Sequence, residues 1–119
     1  MYKVKVTDSF SSAHNLREYE GNCENLHGHN WKIEVALKSE SLDNIGMLVD
    51  FRVLKKEVKK IIKELDHTYL NEHIYFKNVN PTSENMAKYV YDRLKYVFND
   101  TVDSVTVWES ENSAAEYYE

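Results

Sequence analysis

Two histidines separated by one residue are the clearest chemical signal in this chain. His27 and His29 flank Gly28 in the segment 23–29, which also contains the only cysteine, Cys23. In an extended segment, side chains two residues apart point the same way from positions about 6.6 Å apart, so these imidazoles can hold one metal ion. The alternative is that they are ordinary half-buried histidines that make hydrogen bonds.

His14 can complete this group if its strand lies beside the strand of His29. His14 continues the even-numbered, apolar side of the first predicted strand. Three histidine ligands around zinc leave one coordination position open for water or substrate, as in catalytic zinc sites. We therefore predict a metal site at His14, His27 and His29, although the spacing alone does not specify the reaction.

Two further groups could move protons. Cys23 lies in a polar segment that predicts a loop, and a thiol near a divalent cation has a lowered pKa and can act as a base or nucleophile. The alternative for Cys23 is a small buried hydrophobe. In the adjacent pair Asp66 and His67 the carboxylate could orient the imidazole, but the pattern alone favours a helix C-cap with a surface histidine.

Glu109 is a carboxylate on the apolar side of the last long strand, in line with Val105 and Val107. A buried glutamate needs a partner. A planar ligand with two adjacent N–H donors would suit its two oxygens. An ion pair with a lysine explains the position equally well.

The elements that must position these groups follow from hydrophobic periodicity. Alternation predicts strands over residues 2–10, extended toward His14, and from His29 to Lys38. Asp50 can cap a helix whose apolar stripe runs from Phe51 to Leu65, ending near residues 66–67. The cluster 80–83 supplies the cap and first turn of a second helix, which ends at residues 99–100 and carries an apolar face made of Met86, Ala87, Val90, Leu94 and Val97.

Alternation returns over residues 102–109, and residues 114–118 can form a short partner strand after a turn at 110–113. The order of two strands, two helices and two strands predicts an α+β domain, with an antiparallel four-stranded sheet and both helices on one face. Such a sheet has two open edges and an uncovered face, so we expect an oligomer.

Composition restricts the class of protein. A chain of 119 residues predicts one domain spanning residues 1–119, and 42% hydrophobic with 29% charged residues is typical of a soluble globular protein. The net charge of −5, with scattered lysines, argues against direct nucleic-acid binding. The chain contains no apolar run of about 18 residues, so the sequence predicts neither a membrane span nor a signal segment. The single cysteine excludes an internal disulfide and suits the reducing cytoplasm, which is the expected location.

Together these motifs resemble the 6-pyruvoyltetrahydropterin synthase family, and most closely its bacterial 6-carboxytetrahydropterin synthase branch, which makes a precursor of queuosine. The resemblance extends in order along nearly the whole chain, through segments 10–16, 23–31, 46–51, 65–67 and 80–85 and the late Glu109. It implies the T-fold, in which sheets with two helices join around an axis into barrels, here as a hexamer of two trimers.

The resemblance also implies roles for individual residues. His14, His27 and His29 would hold Zn²⁺, and Cys23 would be the catalytic base. His67 would be its partner with Asp66 behind it, and Glu109 would anchor the pterin ring. Thr82 and Ser83, in the segment 80–85, would be further substrate-binding residues.

The implied substrate is 7,8-dihydroneopterin triphosphate, whose side chain is cut in the bacterial branch with loss of triphosphate and acetaldehyde, leaving a 6-carboxy group. Zinc would act as a Lewis acid beside a general base. Triphosphate requires cations, and Arg17, Lys32 or a lysine of a neighbouring subunit could supply them in the absence of a glycine-rich phosphate loop.

Glu24, directly after Cys23, leaves the product open. A sibling branch that releases 6-hydroxymethyldihydropterin for folate carries a glutamate upstream of its His-Gly-His segment, so a chain with both residues resembles members proposed to serve both pathways. The alternative is that Glu24 is a solvated loop residue.

Two other classes of protein are alternatives to this enzyme. A non-catalytic zinc- or pterin-binding module would leave Cys23 and the Asp66–His67 pair unexplained. A hydrolytic zinc enzyme of another fold is disfavoured because this sequence has no motif such as His-Glu-x-x-His.

Overall fold

The predicted order of elements is present in the computed structural model, which describes residues 1–21 and 24–119. Short 3₁₀ turns at Leu70–Glu72, Ile74–Lys77 and Asn99–Thr101 join the long elements. The strands and long helices are β1 (Tyr2–His14), β2 (His27–Ser39), α1 (Phe51–Leu65), α2 (Ser83–Phe98), β3 (Val102–Ser110) and β4 (Ser113–Tyr118).

The sheet has the order β1-β2-β3-β4, and every neighbouring pair is antiparallel. The register of β1 with β2 is regular to its end, where His14 lies opposite His27. This pairing is why β2 begins at His27, two residues before the predicted start. Because side chains alternate between the faces of a sheet, His14, His27 and His29 all lie on the face that the helices cover.

The core lies between this face and the two helices. β1 contributes Val6 and Phe10, while β2 contributes Trp31, Ile33 and Val35. The predicted stripe of α1 is buried from Leu54 to Leu65, which confirms the amphipathic reading. The prediction was wrong at one end of each apolar face, because Phe51 of α1 is 51% exposed and Val97 of α2 is 48% exposed. These two residues lie in the first turn of α1 and the last turn of α2, where the helices extend past the core.

The helix ends are the parts of the fold that reach the site. The α1 helix begins at its predicted cap, Asp50, and α2 is capped by the Thr82 hydroxyl, which accepts a hydrogen bond from the Asn85 N–H at 3.1 Å. After α1, Asp66 accepts from the Ser11 N–H at 2.9 Å. The His67 N–H donates to the Ser11 carbonyl at 2.6 Å. The end of α1 is thereby fixed to β1, three residues before His14.

Neither of the two long helices in the described part of the chain combines the length and apolar character that a membrane span requires.

Candidate metal centre

Three imidazoles and one carboxylate meet where β1 ends and β2 begins. The candidate ligand atoms of His14, His27, His29 and Glu109 all lie within 4.8 Å of one another. His14 is buried, while the other three are partly exposed. The predicted trio is therefore brought together, and this group of residues could hold a metal ion.

Two of the histidines are oriented by backbone carbonyls. His14 Nδ1 lies 2.8 Å from the Pro81 carbonyl oxygen, and His27 Nδ1 lies 2.8 Å from the Asn25 carbonyl oxygen. A carbonyl oxygen only accepts, so each Nδ1 carries its proton and each neutral ring presents a lone pair at Nε2. Metal-binding histidines are held in this way by an acceptor on the nitrogen away from the metal.

The two Nε2 atoms of His14 and His27 are 3.0 Å apart. Both carry lone pairs in the neutral rings, so the contact is repulsive unless a proton or a cation lies between them. A metal ion bound by both nitrogens removes this repulsion without placing a charge on either ring.

His29 supplies a third acceptor. Its Nε2 is buried and has no hydrogen-bond partner among residues 1–21 and 24–119. Glu109 Oε1 lies 2.8 Å away, but outside the direction that an N–H on this ring nitrogen would take. Burial lowers the pKa of His29, and the neighbouring His14 and His27 act in the same direction, against the effect of Glu109. The ring is therefore held neutral, as metal binding requires.

Glu109 lies beside the histidines, a placement that neither sequence alternative included. Its Oε1 contacts His29 Nε2 and lies 3.5 Å from His14 Nε2. The expected alternative, an ion pair with a lysine, is not formed within the described ranges. Both contacts use Oε1, and the side chain is 38% exposed, so Oε2 is accessible to a ligand.

Glu24 lies beside His27, at the ring nitrogen that faces away from the clustered Nε2 atoms. Its carboxylate oxygen Oε1 accepts from the Leu16 N–H at 3.0 Å and lies 3.8 Å from His27 Nδ1. The Glu24 side chain is 28% exposed, which is inconsistent with a freely solvated loop residue. Cys23, the predicted base, lies outside the described residues.

Asp66 and His67 form the expected contact at the end of α1. His67 Nδ1 lies 3.0 Å from Asp66 Oδ1, and the imidazole is 82% exposed. The Ser11 N–H, followed by the His67 side chain, holds the pKa of Asp66 below its usual range. Within the described part of the chain, this pair is a helix-end pair with a surface histidine and is not among the clustered ligand atoms.

The remaining candidates have defined positions. Thr82 and Ser83 start α2 next to Pro81, with the Thr82 hydroxyl used as the helix cap. Arg17 donates to the carbonyls of Asn71, Phe76 and Val79, so its guanidinium is engaged in structure. Lys32 lies over the Trp108 ring at 5.8 Å, on the sheet face opposite the histidines.

Sequence reasoning missed the two carbonyls that orient the rings. Pro81 carried a signal only as part of a helix start, and nothing in the sequence indicates that its carbonyl faces His14. Asn25 lies two residues before His27, so this contact is local, and the short sequence separation is the one signal that could have indicated it.

Comparison with known proteins agrees with this geometry. The family model described as 6-pyruvoyl tetrahydropterin synthase matches residues 3–119. The chain is 30% identical to the 6-carboxy-5,6,7,8-tetrahydropterin synthase of Haemophilus influenzae, with all of both chains covered. It is 37% identical to the enzyme of that name from Synechocystis, covering 99% of this chain and 94% of the relative.

A solved structure with the same architecture is the 6-pyruvoyl tetrahydropterin synthase of Caenorhabditis elegans. It has a TM-score of 0.88 and 30% identity, with 99% of this chain and 95% of that chain covered. The T-fold expected from the sequence is therefore confirmed for the single chain. On the sequence match, the structural match and the clustered histidines, the chain belongs to the 6-pyruvoyl tetrahydropterin synthase family.

Proposed function

We propose that this protein is a zinc-dependent lyase of the 6-carboxy-5,6,7,8-tetrahydropterin synthase type, which serves queuosine biosynthesis. It converts 7,8-dihydroneopterin triphosphate and one water molecule into 6-carboxy-5,6,7,8-tetrahydropterin, and releases acetaldehyde and triphosphate. The observation that carries the proposal is the convergence of three Nε2 acceptor atoms beside a carboxylate. Full-length bacterial relatives with that enzyme name support the choice of reaction.

The donor set favours zinc. Three neutral imidazole nitrogens are typical ligands of catalytic zinc, and they leave room for a substrate oxygen. When bound, zinc supplies Lewis-acid polarisation of the substrate side chain, which lowers the pKa of its hydroxyls and of the adjacent carbon. In this proposal His14, His27 and His29 hold the ion.

The protons are moved by this chain's own side chains. Cys23 is the base that takes the carbon-bound proton, since a thiolate is favoured next to a cation. His67 is its acid–base partner. Asp66, kept ionised by the Ser11 N–H, accepts from His67 Nδ1 and leaves Nε2 free to exchange a proton.

The pterin ring is held by Glu109. The accessible Oε2 can accept from one N–H of the pyrimidinone edge, while Oε1 accepts from the adjacent donor as it turns from His29. Thr82 and Ser83 offer hydroxyl groups to the substrate from the start of α2, beside the carbonyl that orients His14.

A second candidate is production of 6-hydroxymethyl-7,8-dihydropterin for folate, alone or beside the first product. The observation that favours it is the Glu24 carboxylate, 3.8 Å from His27 Nδ1. This carboxylate lies beside a proposed zinc ligand, on the side of the ring away from the ion, and could take a different proton of the substrate side chain than Cys23 does. A third possible product is 6-pyruvoyl tetrahydropterin, which the name of the C. elegans relative suggests. The mass analysis described below distinguishes it from the other two products.

The assembly that we propose is a cytoplasmic homohexamer, formed as a dimer of trimers. β4 is an edge strand with open backbone groups, whereas the end of β1 is covered by the backbone of residues 68–69. An open edge favours pairing with another copy of the sheet. This proposal includes no direct contact with nucleic acid or membrane.

Incubation of the zinc-loaded protein with 7,8-dihydroneopterin triphosphate tests the function directly. Mass analysis should find 6-carboxy-5,6,7,8-tetrahydropterin and acetaldehyde in equal amounts, and protein stripped by a chelator should form neither. Release of 6-hydroxymethyl-7,8-dihydropterin as the sole product would select the folate reaction. Unchanged substrate would leave a binding module as the function.

A further inference from the structure

We propose that Asn80 is a positioning residue for the metal centre, acting on His14 through the carbonyl of Pro81. The inference rests on the proposed metal-binding function of the three histidines. Its basis is a hydrogen-bond network around residues 15–17, the segment that directly follows His14 and that the reaction scheme leaves unused.

Every backbone N–H and carbonyl in residues 15–17 is paired. Asn71 receives the Asn15 N–H at 3.0 Å and donates to the Asn15 carbonyl at 2.8 Å. Glu24 does the same for Leu16, with its carboxylate accepting at 3.0 Å and its backbone N–H donating at 2.9 Å. The segment is therefore held on both sides like a central strand, although it pairs with side chains as well as backbone.

Asn80 completes this network. Its Oδ1 accepts from the Arg17 N–H at 2.9 Å, and its Nδ2 donates to the Arg17 carbonyl at 3.1 Å. The Arg17 side chain returns to the same region and donates to the Phe76 carbonyl at 2.6 Å. The backbone before Pro81 is thus attached to the chain three residues after His14.

Two further hydrogen bonds connect Asn80 to residues that follow Pro81. The Asn80 carbonyl accepts from Asn85 Nδ2 at 2.8 Å and from the Thr82 N–H at 2.9 Å. Pro81 is therefore fixed on one side by the hydrogen bonds of the Asn80 side chain to Arg17 and on the other by the first turn of α2. Its own carbonyl, buried with the residue, is left to accept from His14 Nδ1.

This carbonyl determines which nitrogen of His14 faces the other imidazoles. His14 is 3% exposed, so water cannot readily reach its Nδ1–H. If the Pro81 oxygen is displaced, this buried N–H loses its acceptor, which costs free energy. With the acceptor displaced, the ring can place its proton at Nε2 or rotate, and either change removes one metal ligand. Loss of a partner that orients a metal-binding histidine typically lowers metal affinity about 10- to 100-fold.

The test is the zinc dissociation constant of folded Asn80→Ala, measured by competition with a chromophoric chelator. We expect it to rise about 10-fold, the lower end for such partners because Asn80 acts through one intervening residue. Asp50→Ala is the matched control. It removes the N-cap contact of α1 to the Arg52 N–H, at 2.8 Å, and should lower thermal stability without changing zinc affinity.

The absorption spectrum of the Co²⁺-substituted protein gives a second readout, which a purely structural role would not move. Asn80→Ala should weaken or shift the d–d bands, and Asp50→Ala should leave them as in the wild type. If Asn80→Ala does not fold, Asn80→Asp keeps the acceptor for the Arg17 N–H but replaces the donor with a carboxylate oxygen that repels the Arg17 carbonyl, and the bands should weaken or shift in the same way.

Two results overturn the inference in distinguishable ways. Wild-type zinc affinity and Co²⁺ bands in a folded Asn80 variant would reduce Asn80 to a stabilising residue and leave the proposed function intact. Failure of the wild-type protein to bind zinc would overturn the inference together with the proposed metal centre.

Discussion

The substitution Glu109→Gln separates a pterin anchor from a metal ligand. Glutamine keeps the shape of the side chain, but one of the two acceptor oxygens becomes an NH₂ group and the negative charge is lost. The position tolerates this exchange structurally, because the side chain is 38% exposed and makes contacts only with His14 and His29 in the described part of the chain.

The size of the effect follows from the lost charge-assisted hydrogen bond. Hydrogen bonds to charged groups contribute about 1.5–3 kcal/mol, and partial exposure of Glu109 selects the lower end. A loss of about 1.5 kcal/mol raises a dissociation constant about 10-fold. Zinc content should remain at the wild-type level, since three imidazoles still converge.

Calorimetric titration with neopterin, which keeps the pterin edge and lacks the phosphates, measures this affinity without turnover. Glu111→Gln is the matched control, because it makes the same exchange two residues away at an exposed turn position. Unchanged neopterin affinity in Glu109→Gln would refute the anchor. Loss of zinc together with affinity would show that Glu109 is a metal ligand.

Three further outcomes are expected. Cys23→Ala should bind zinc and fold as the wild type but lose side-chain cleavage, and turnover at a near wild-type rate would mean that another group abstracts the proton. Wild-type protein should form some 6-hydroxymethyldihydropterin, and Glu24→Gln should selectively remove it, whereas an equal fall of both products would leave one base for the whole reaction. In solution the protein should be larger than a dimer, and a monomer by light scattering at micromolar concentration would contradict the barrel.

Much of the fold could be predicted because its signals are local. Alternation in β1 correctly placed His14 on the same face as Phe10, and the cap at Asp50 and the cap-forming cluster 80–83 were recognisable from residue type and position. The parity of β2 likewise placed His29 on the side of Trp31. These patterns depend only on neighbours a few residues apart.

The surroundings of the site depend on contacts that periodicity does not encode. The bond from His14 to the Pro81 carbonyl joins residues 67 positions apart, and no residue type at position 81 specifies it. Arg17 was a reasonable candidate cation for triphosphate, but carbonyls at positions 71, 76 and 79 converge on it. Strand parity placed Glu109 on the face of Val105 and Val107, but Glu109 lies within the irregularity between Trp108 and Ser110 and past the last β2–β3 pair, so periodicity did not specify its contact with His29.

The zinc content of His27→Ala tests the central claim most directly, since that claim is one metal ion held by three imidazoles. The matched control is His73→Ala, in which the removed ring contacts Tyr89 and Tyr75 away from the cluster. The account predicts one zinc per chain in the wild type and in His73→Ala, and no stoichiometric zinc in folded His27→Ala. One tightly bound zinc per chain in His27→Ala would contradict it.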